Sequence, residues 1–208
     1  MPSLALPEIQ GGYNILDFGV LRGVGDAGPA INAALTRIAG QSEAGGTCYF
    51  PPGTYLIRTP ISVPSNIEVA GFGSRTILQL RNSGLVDVLT SRDTSNVRIR
   101  TLRIDGNRSN NTGNGQGLWL ENVTDAWIED VEVVSCRSDG FRLDGCTRVE
   151  LKGPSASDNG RHGFSLANTE FCQLLSPRAY DNSQVADAGD GDGINLELFS
   201  RWNTIVCP

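Results

Sequence analysis

The sequence predicts an all-β chain, a right-handed parallel β-helix (a solenoid of stacked coils) with one short capping α-helix at its N-terminal end. Three observations carry that expectation. The second half of the chain repeats itself at a 23-residue spacing, from Gly117 to Gly140 to Gly163. Within each repeat apolar and polar residues alternate, the period-two pattern of a strand with one buried face, and the 3.6 period of a helical solenoid is absent. The composition is that of a turn-rich chain, with 25 Gly among 208 residues and Asn recurring beside Gly or Ser.

The elements follow in order. The first residues lack the basic and long apolar regions of a secretory signal, and no window is apolar enough to span a membrane. In 27–39, Pro29 stands near a helix start, Asp26 is placed to cap it, and Ile31, Leu35 and Ile38 share one face. Such a helix would cover the core that a first coil otherwise exposes. Residues 1–208 are expected to form one domain, with 13–46 as the cap and 47–207 as about five to six coils. The region 47–105, with the runs TCYF, TYLI, NIEVAG, TILQL, VDVL, NVRIR and LRIDG, is expected to form earlier, less regular coils of short strands divided by Pro, Gly, Ser and Asn. From Gly117 onward the register is regular, and the step from Gly163 to Gly193 is the same repeat enlarged by seven residues. Leu118, Phe141, Phe164 and Ile194 take equivalent slots, as do Ile128, Leu151 and Leu174, and Val133, Ala156 and Ala179. Asn159 and Asn182, 23 apart, are expected to stack as an amide ladder. The leucine-rich repeat has a comparable period, but its L-x-x-L-x-L pattern does not recur. The last coil stops partway, so further coils or another subunit of a homo-oligomer are expected to cover its open end.

The formal net charge is −6, the opposite of what nucleic-acid binding requires, so neither nucleic acid nor membrane is an expected partner. Five cysteines show neither metal spacing nor an even-numbered framework and are expected as free thiols. No metal or cofactor is expected, except that Asp187, Asp190 and Asp192 in DAGDGD suggest calcium, at a spacing unlike an EF-hand.

The segments Asn14–Gly19, Gly25-Asp26, AINAAL, Gly45–Leu56 and Pro64–Gly71 resemble the opening of the pectate-lyase-like β-helix superfamily. Leu102–Asn110 (LRIDGNRSN) resembles the LxxDGNRxN segment of mannuronan C5-epimerases, and Ile128–Phe141 and Asp158–Phe164 are similar to the coils of that family. The resemblance implies a carbohydrate-active solenoid and makes an extracellular or virion-associated location plausible. The epimerases' Tyr-Gly-Phe-Asp-Pro-His falls on Asp139–Asp144, where the Tyr, Asp and His positions hold Asp139, Arg142 and Asp144.

Residues one repeat apart stack at the strand spacing of about 4.8 Å. The slot before each coil's Gly reads Gln116, Asp139, His162, Asp192; the next outward slots read Trp119, Arg142, Ser165, Asn195 and Glu121, Asp144, Ala167, Glu197. These slots are expected to face solvent as the floor of a groove, walled by the insertions 106–115 and 183–192. Asp139, His162, Asp192, Arg142 and Asp144 are the candidate catalytic residues, and Trp119, Arg161, Asn195 and Glu121 the candidate substrate-binding ones. Asp139 and Asp192, two coils apart, have the separation of an inverting hydrolase pair. Elimination or epimerisation needs a base for the C5 proton, His162 or Asp139, and a cation on the uronate carboxylate, Arg142 or Arg161. An enzyme acting on an acidic polysaccharide is therefore favoured, the alternative being a non-catalytic glycan-binding or structural β-helix such as a tail-spike or adhesin fragment.

Overall fold

The computed structural model describes residues 12–42, 44–184 and 191–207. The N-terminal stretch inspected for a secretory signal lies outside these residues, as do Asp187 and Asp190 of the acidic loop. Strand β1 (Tyr13–Asn14) and helix α1 (Gly28–Ala39) precede β2 (Gly46–Tyr49), β3 (Gly53–Ile57), β4 (Ile61–Ser62), β5 (Ile67–Leu80), β6 (Leu89–Arg92) and β7 (Ser95–Asp105). Then come β8 (Leu118–Glu121), β9 (Thr124–Val134), β10 (Phe141–Asp144), β11 (Thr147–Lys152) and β12 (Ser155–Ser157). The last coils hold β13 (Phe164–Ala167), β14 (Gln173–Leu175), β15 (Arg178–Tyr180), β16 (Ile194–Glu197) and β17 (Thr204–Val206). Every pairing is parallel, as the right-handed β-helix requires. The small sheet runs β4-β6-β8-β10-β13-β16, and the other strands form an eleven-stranded sheet that closes the solenoid around one core.

The expected columns are in register. Leu118, Phe141, Phe164 and Ile194 are successive partners, and so are Ile128, Leu151 and Leu174. The rings of Phe141 and Phe164 stack with centroids 4.8 Å apart. The amide ladder is present: Asn159 Nδ2 donates to Asn182 Oδ1 at 2.9 Å, while Asn159 Oδ1 accepts the Cys136 N–H at 2.9 Å. It also explains the recurring glycine. A Cβ on Gly140 would lie 2.7 Å from Asn159 Nδ2 and 2.8 Å from the Gly163 carbonyl, so only a bare Cα fits beneath the ladder.

Helix α1 buries Ile31, Leu35 and Ile38 against the first coils. Asp26 fastens its start, accepting N–H bonds from Gly28 at 3.0 Å, Arg58 at 2.9 Å and Thr59 at 3.1 Å, and the Thr59 hydroxyl at 2.7 Å. Burial opposes the ionised carboxyl, but these donors outweigh it and hold the Asp26 pKa below its ordinary value.

Two expected strand pairs merge. NIEVAG and TILQL lie in the single strand β5, and NVRIR and LRIDG in β7. The chain bends within each strand at a left-handed residue, Gly73 in β5 and Thr101 in β7 with φ of 69° and 57°, as β9 does at Asp130 with 49°; the β5–β7 register shifts on either side of Gly73. The cysteines are free among the described residues, four of them buried, and burial pushes the Cys48 and Cys146 thiols up to about 12. No helix among the described residues is long and apolar enough to cross a membrane.

Candidate functional site

The small sheet positions the candidate residues. In β8, β10 and β13 alternate residues enter the core, while in β16 Ile194 is partly buried and Leu196 is 51 % exposed; this leaves Trp119, Arg142, Ser165 and Asn195 in one outward column and Glu121, Asp144, Ala167 and Glu197 in the next. Ser165 and Ala167 are nevertheless buried, so the two columns are open on either side of that coil, at Trp119, Glu121, Arg142 and Asp144 and again at Asn195 and Glu197.

The slot before each coil's Gly differs from expectation. Asp139 is 0 % and His162 3 % exposed, so neither lies on a solvent-facing floor. The reason is a ladder along the solenoid axis. Asp87 Oδ1 accepts the Gln116 N–H at 2.8 Å, Gln116 Oε1 the Asp139 N–H at 2.8 Å, Asp139 Oδ1 the His162 N–H at 3.1 Å, and His162 Nδ1 the Asp192 N–H at 2.9 Å. Each side chain thus turns along the axis to satisfy a backbone donor of the next coil that would otherwise be buried without a partner. Because Nδ1 of His162 accepts, the neutral ring carries its proton on Nε2. That nitrogen lies 3.1 Å from the Asn195 amide, 3.4 Å from Arg161 and 4.0 Å from Glu197. His162 is thus spent on a backbone donor at Nδ1 and enclosed at Nε2 by the Asn195 and Arg161 side chains, so it presents no free nitrogen to an open groove. Asp192, its side chain 57 % exposed, sits on the far side of that ring, so Asp139 and Asp192 do not form the open carboxylate pair of an inverting hydrolase.

Arg142 is the centre of what remains. Its guanidinium lies 3.9 Å from Asp139 Oδ2 and 3.4 Å from Asp144 Oδ2. Burial raises the Asp139 pKa, against the His162 N–H and the cations Arg161 and Arg142, and Oδ2 has no hydrogen-bond partner. Asp144 is the accessible carboxylate, held by Arg142 and by Asn168 Nδ2 at 3.0 Å. Trp119 was expected to offer its face to a sugar, yet guanidinium carbons of Arg92 and Arg142 lie 4.0 and 5.6 Å from its ring centroid. A sugar therefore meets an indole already dressed by cations. Glu121 pairs with Arg92 at 3.3 Å, and Asn195 donates to Glu197 at 2.7 Å.

Asp87 and Arg92 belong to the site but lay outside the sequence expectation, because β6 to β8 is a 29-residue step in which Val88 replaces the marker glycine. Alignment of DVLTSR with QGLWLE would have revealed them. The insertion 106–115 does not stand as a separate wall. Its Arg108 reaches Asp158 at 2.6 Å and the Gln184 carbonyl at 3.3 Å, tying it across the coils to the edge of the second insertion, whose residues 185–190 lie outside the described set.

Three comparisons place this geometry among known proteins. The family model described as rhamnogalacturonase A/epimerase, pectate lyase-like matches residues 12–171. Mannuronan C5-epimerases AlgE6 and AlgE4 of Azotobacter vinelandii are 33 % and 30 % identical, each over 88 % of this chain, but over only 23 % and 36 % of their own lengths. The A-module of AlgE4 from the same organism superposes with a TM-score of 0.81 at 26 % identity, over 93 % of this chain and 55 % of the module. The chain thus spans about a third or less of these two curated relatives.

Proposed function

Since the chain belongs to the rhamnogalacturonase A/epimerase, pectate lyase-like family, we propose that it acts on an acidic, uronic-acid polysaccharide at the outer face of the small sheet, by chemistry at the C5 proton of the lyase or epimerase type. One observation carries the proposal: Arg142 stands between a sealed carboxylate, Asp139, and an accessible one, Asp144, beside Trp119. The C5 proton of a uronate becomes removable when its carboxylate is neutralised, and a guanidinium suits a carboxylate in shape as well as charge. In this reading Arg142 takes the uronate carboxylate, Asp144 accepts the proton, and Asp139 keeps Arg142 in place. Returning a proton to the opposite face gives epimerisation; loss of the glycosidic oxygen at C4 gives elimination. Hydrolysis by Asp139 and Asp192 is disfavoured by the His162 ring between them. Mannuronan, the polymer in the relatives' names, is the first substrate to try.

The test is removal of the C5 proton in deuterated water, followed by NMR on mannuronan and on polygalacturonate: deuterium at C5 reports reprotonation and epimerisation, and a C4–C5 double bond at a new non-reducing end reports elimination. Signals that disappear in Asp144→Asn and in Arg142→Ala are the expected result. Polymer binding with neither signal on either substrate would sink the enzyme and leave the non-catalytic glycan binder.

A further inference from the structure

On the opposite side of the solenoid, the outer face of the large sheet is ruled by ion pairs between neighbouring coils. Arg148 pairs with Asp125, Lys152 with Glu129, Arg103 with Glu132, Arg201 with Glu170 and Arg100 with Glu68. One strip breaks the rule. Trp127 is 49 % exposed, and the guanidinium of Arg98, one coil away, lies 5.4 Å from its ring centroid. Arg98 is exposed and has no carboxylate partner among the described residues. Trp127 lines two grooves, of about 520 Å³ towards Arg148 and Phe171 and about 270 Å³ towards Arg98 and Arg100. Carboxylates line them too, Asp125 and Glu150 in the first and Glu68 and Glu129 in the second; Asp125, Glu68 and Glu129 are paired with cations and Glu150 accepts the Trp127 indole N–H at 3.1 Å, which leaves Arg98 as the cation without a carboxylate.

The edge of the strip is unusual in its backbone. One turn column, running Asn66, Asn96, Asp125, Arg148, Phe171 and Trp202, is left-handed in every coil, with φ between 54° and 64°. Asn and Asp tolerate that conformation; Arg, Phe and Trp rarely adopt it. Among the described residues, the other non-glycine positions with positive φ hold Asn, Asp, Ser or Thr, apart from Leu198. Turn chemistry therefore does not explain Arg148 and Phe171. Arg148 pairs with Asp125 along this column and the Phe171 ring stacks on that of Trp202 with centroids 5.0 Å apart; both side chains line the groove beside Trp127, and Phe171 is still 50 % exposed. Strain of this kind gathers at binding surfaces.

We propose that this strip is a second saccharide-binding site, for a carboxylate-bearing oligosaccharide laid across the coils. The Trp127 and Phe171 rings supply apolar platforms for sugar faces, and the unpaired Arg98 supplies the partner for a uronate carboxylate. The ligand class comes from the charge and aromatic groups of this face itself, so the proposal stands apart from the chemistry assigned to the small sheet.

Titration calorimetry of the full chain with short oligomannuronate and oligogalacturonate, and with a neutral glucan oligomer as control, tests it. Two binding events are expected for the uronates. Trp127→Ala should remove one of them and Trp127→Phe should retain it, with circular dichroism showing an intact solenoid. Arg98→Gln should weaken the same event roughly tenfold, the scale of one charge-assisted contact. A single event indifferent to Trp127→Ala overturns the proposal, as does neutral glucan binding as tightly as the uronates. The two sites fail separately: a Trp127-dependent event with neither C5 deuteration nor a C4–C5 double bond sinks the small-sheet chemistry alone, and either of those signals with a single Trp127-independent event sinks this site alone.

Discussion

The two faces of the solenoid share one core and use charge in opposite ways. On the large sheet, guanidinium and ammonium groups meet carboxylates of the adjacent coil out in solvent, where such pairs contribute little beyond keeping the surface orderly. On the small sheet the charged groups are drawn inward, and some are left incomplete. Trp119 Nε1, Asp139 Oδ2, Arg142 Nε and Arg161 Nε are buried without a hydrogen-bond partner; among the described residues the others are Arg103 Nε on the large sheet, Arg108 Nε in the insertion 106–115 and Arg137 Nε between β9 and β10. A folded chain seldom leaves buried polar atoms unpaired unless something else uses them. The difference teaches that charge alone does not mark a site here; charge with an unmet valence does.

Four experiments press on that contrast, beginning with the largest expected effect. Phe141→Ala removes a ring from the core beneath the small sheet and should cost about 3–5 kcal/mol in a denaturant titration. The loss should reach both faces as one cooperative transition; two transitions would mean that the faces do not share a core. Arg142→Ala should lower the rate of C5 proton removal, read as C5 deuteration or as the C4–C5 double bond, by roughly 10²–10³-fold, the scale for losing one preorganised electrostatic contact, while leaving the fold intact.

Third, Asp139→Ala breaks a rung of the axial ladder and strands a buried N–H, for about 1–3 kcal/mol. Asp139→Asn keeps the acceptor and should fold as well as the parent. The sign of the pH effect follows from the raised pKa of Asp139. Its contribution to stability is full below the ordinary carboxylate pKa of 3.8 and is lost as pH rises through the higher native value, so Asp139→Asn should flatten that fall. Asp26 works the other way. Its lowered pKa gives stability present above 3.8 and lost as pH falls through the native value, and Asp26→Asn should blunt acid unfolding. Thermal midpoints across the acid range separate the two. Last, Arg148→Ala on the large sheet should leave the thermal midpoint within measurement error. A clear drop would show that the cross-coil pairs there are structural after all.

Much of the scaffold was legible because the repeat carries geometry. A spacing of 23 residues between Gly117 and Gly140 fixes which residues stack, so the Phe141–Phe164 contact and the Asn159–Asn182 ladder could be written down in advance. The site was less legible, for two physical reasons. Period-two alternation assigns a residue to a face of a strand, but Asp139 and His162 sit in the turn before the strand, where the need of the next coil's N–H decides the side-chain direction. Asp87 and Arg92 were hidden by an irregular 29-residue step, which only the strand pairing itself resolves. The aromatic turn at Phe171 was equally hidden, since a left-handed Phe is what local preference argues against.

The axial ladder has a consequence for how such a surface can change. Its acceptor rungs are filled by Asp87, Gln116, Asp139 and His162, a carboxylate, an amide, a second carboxylate and an imidazole, and all make the same bond to the coil that follows. The scaffold asks only for a lone pair at that place. It is indifferent to whether the atom that supplies it also titrates. Acid, base and neutral groups are therefore interchangeable parts along this edge. The reactivity of the surface can be rewritten one coil at a time while the stacking beneath it stays the same.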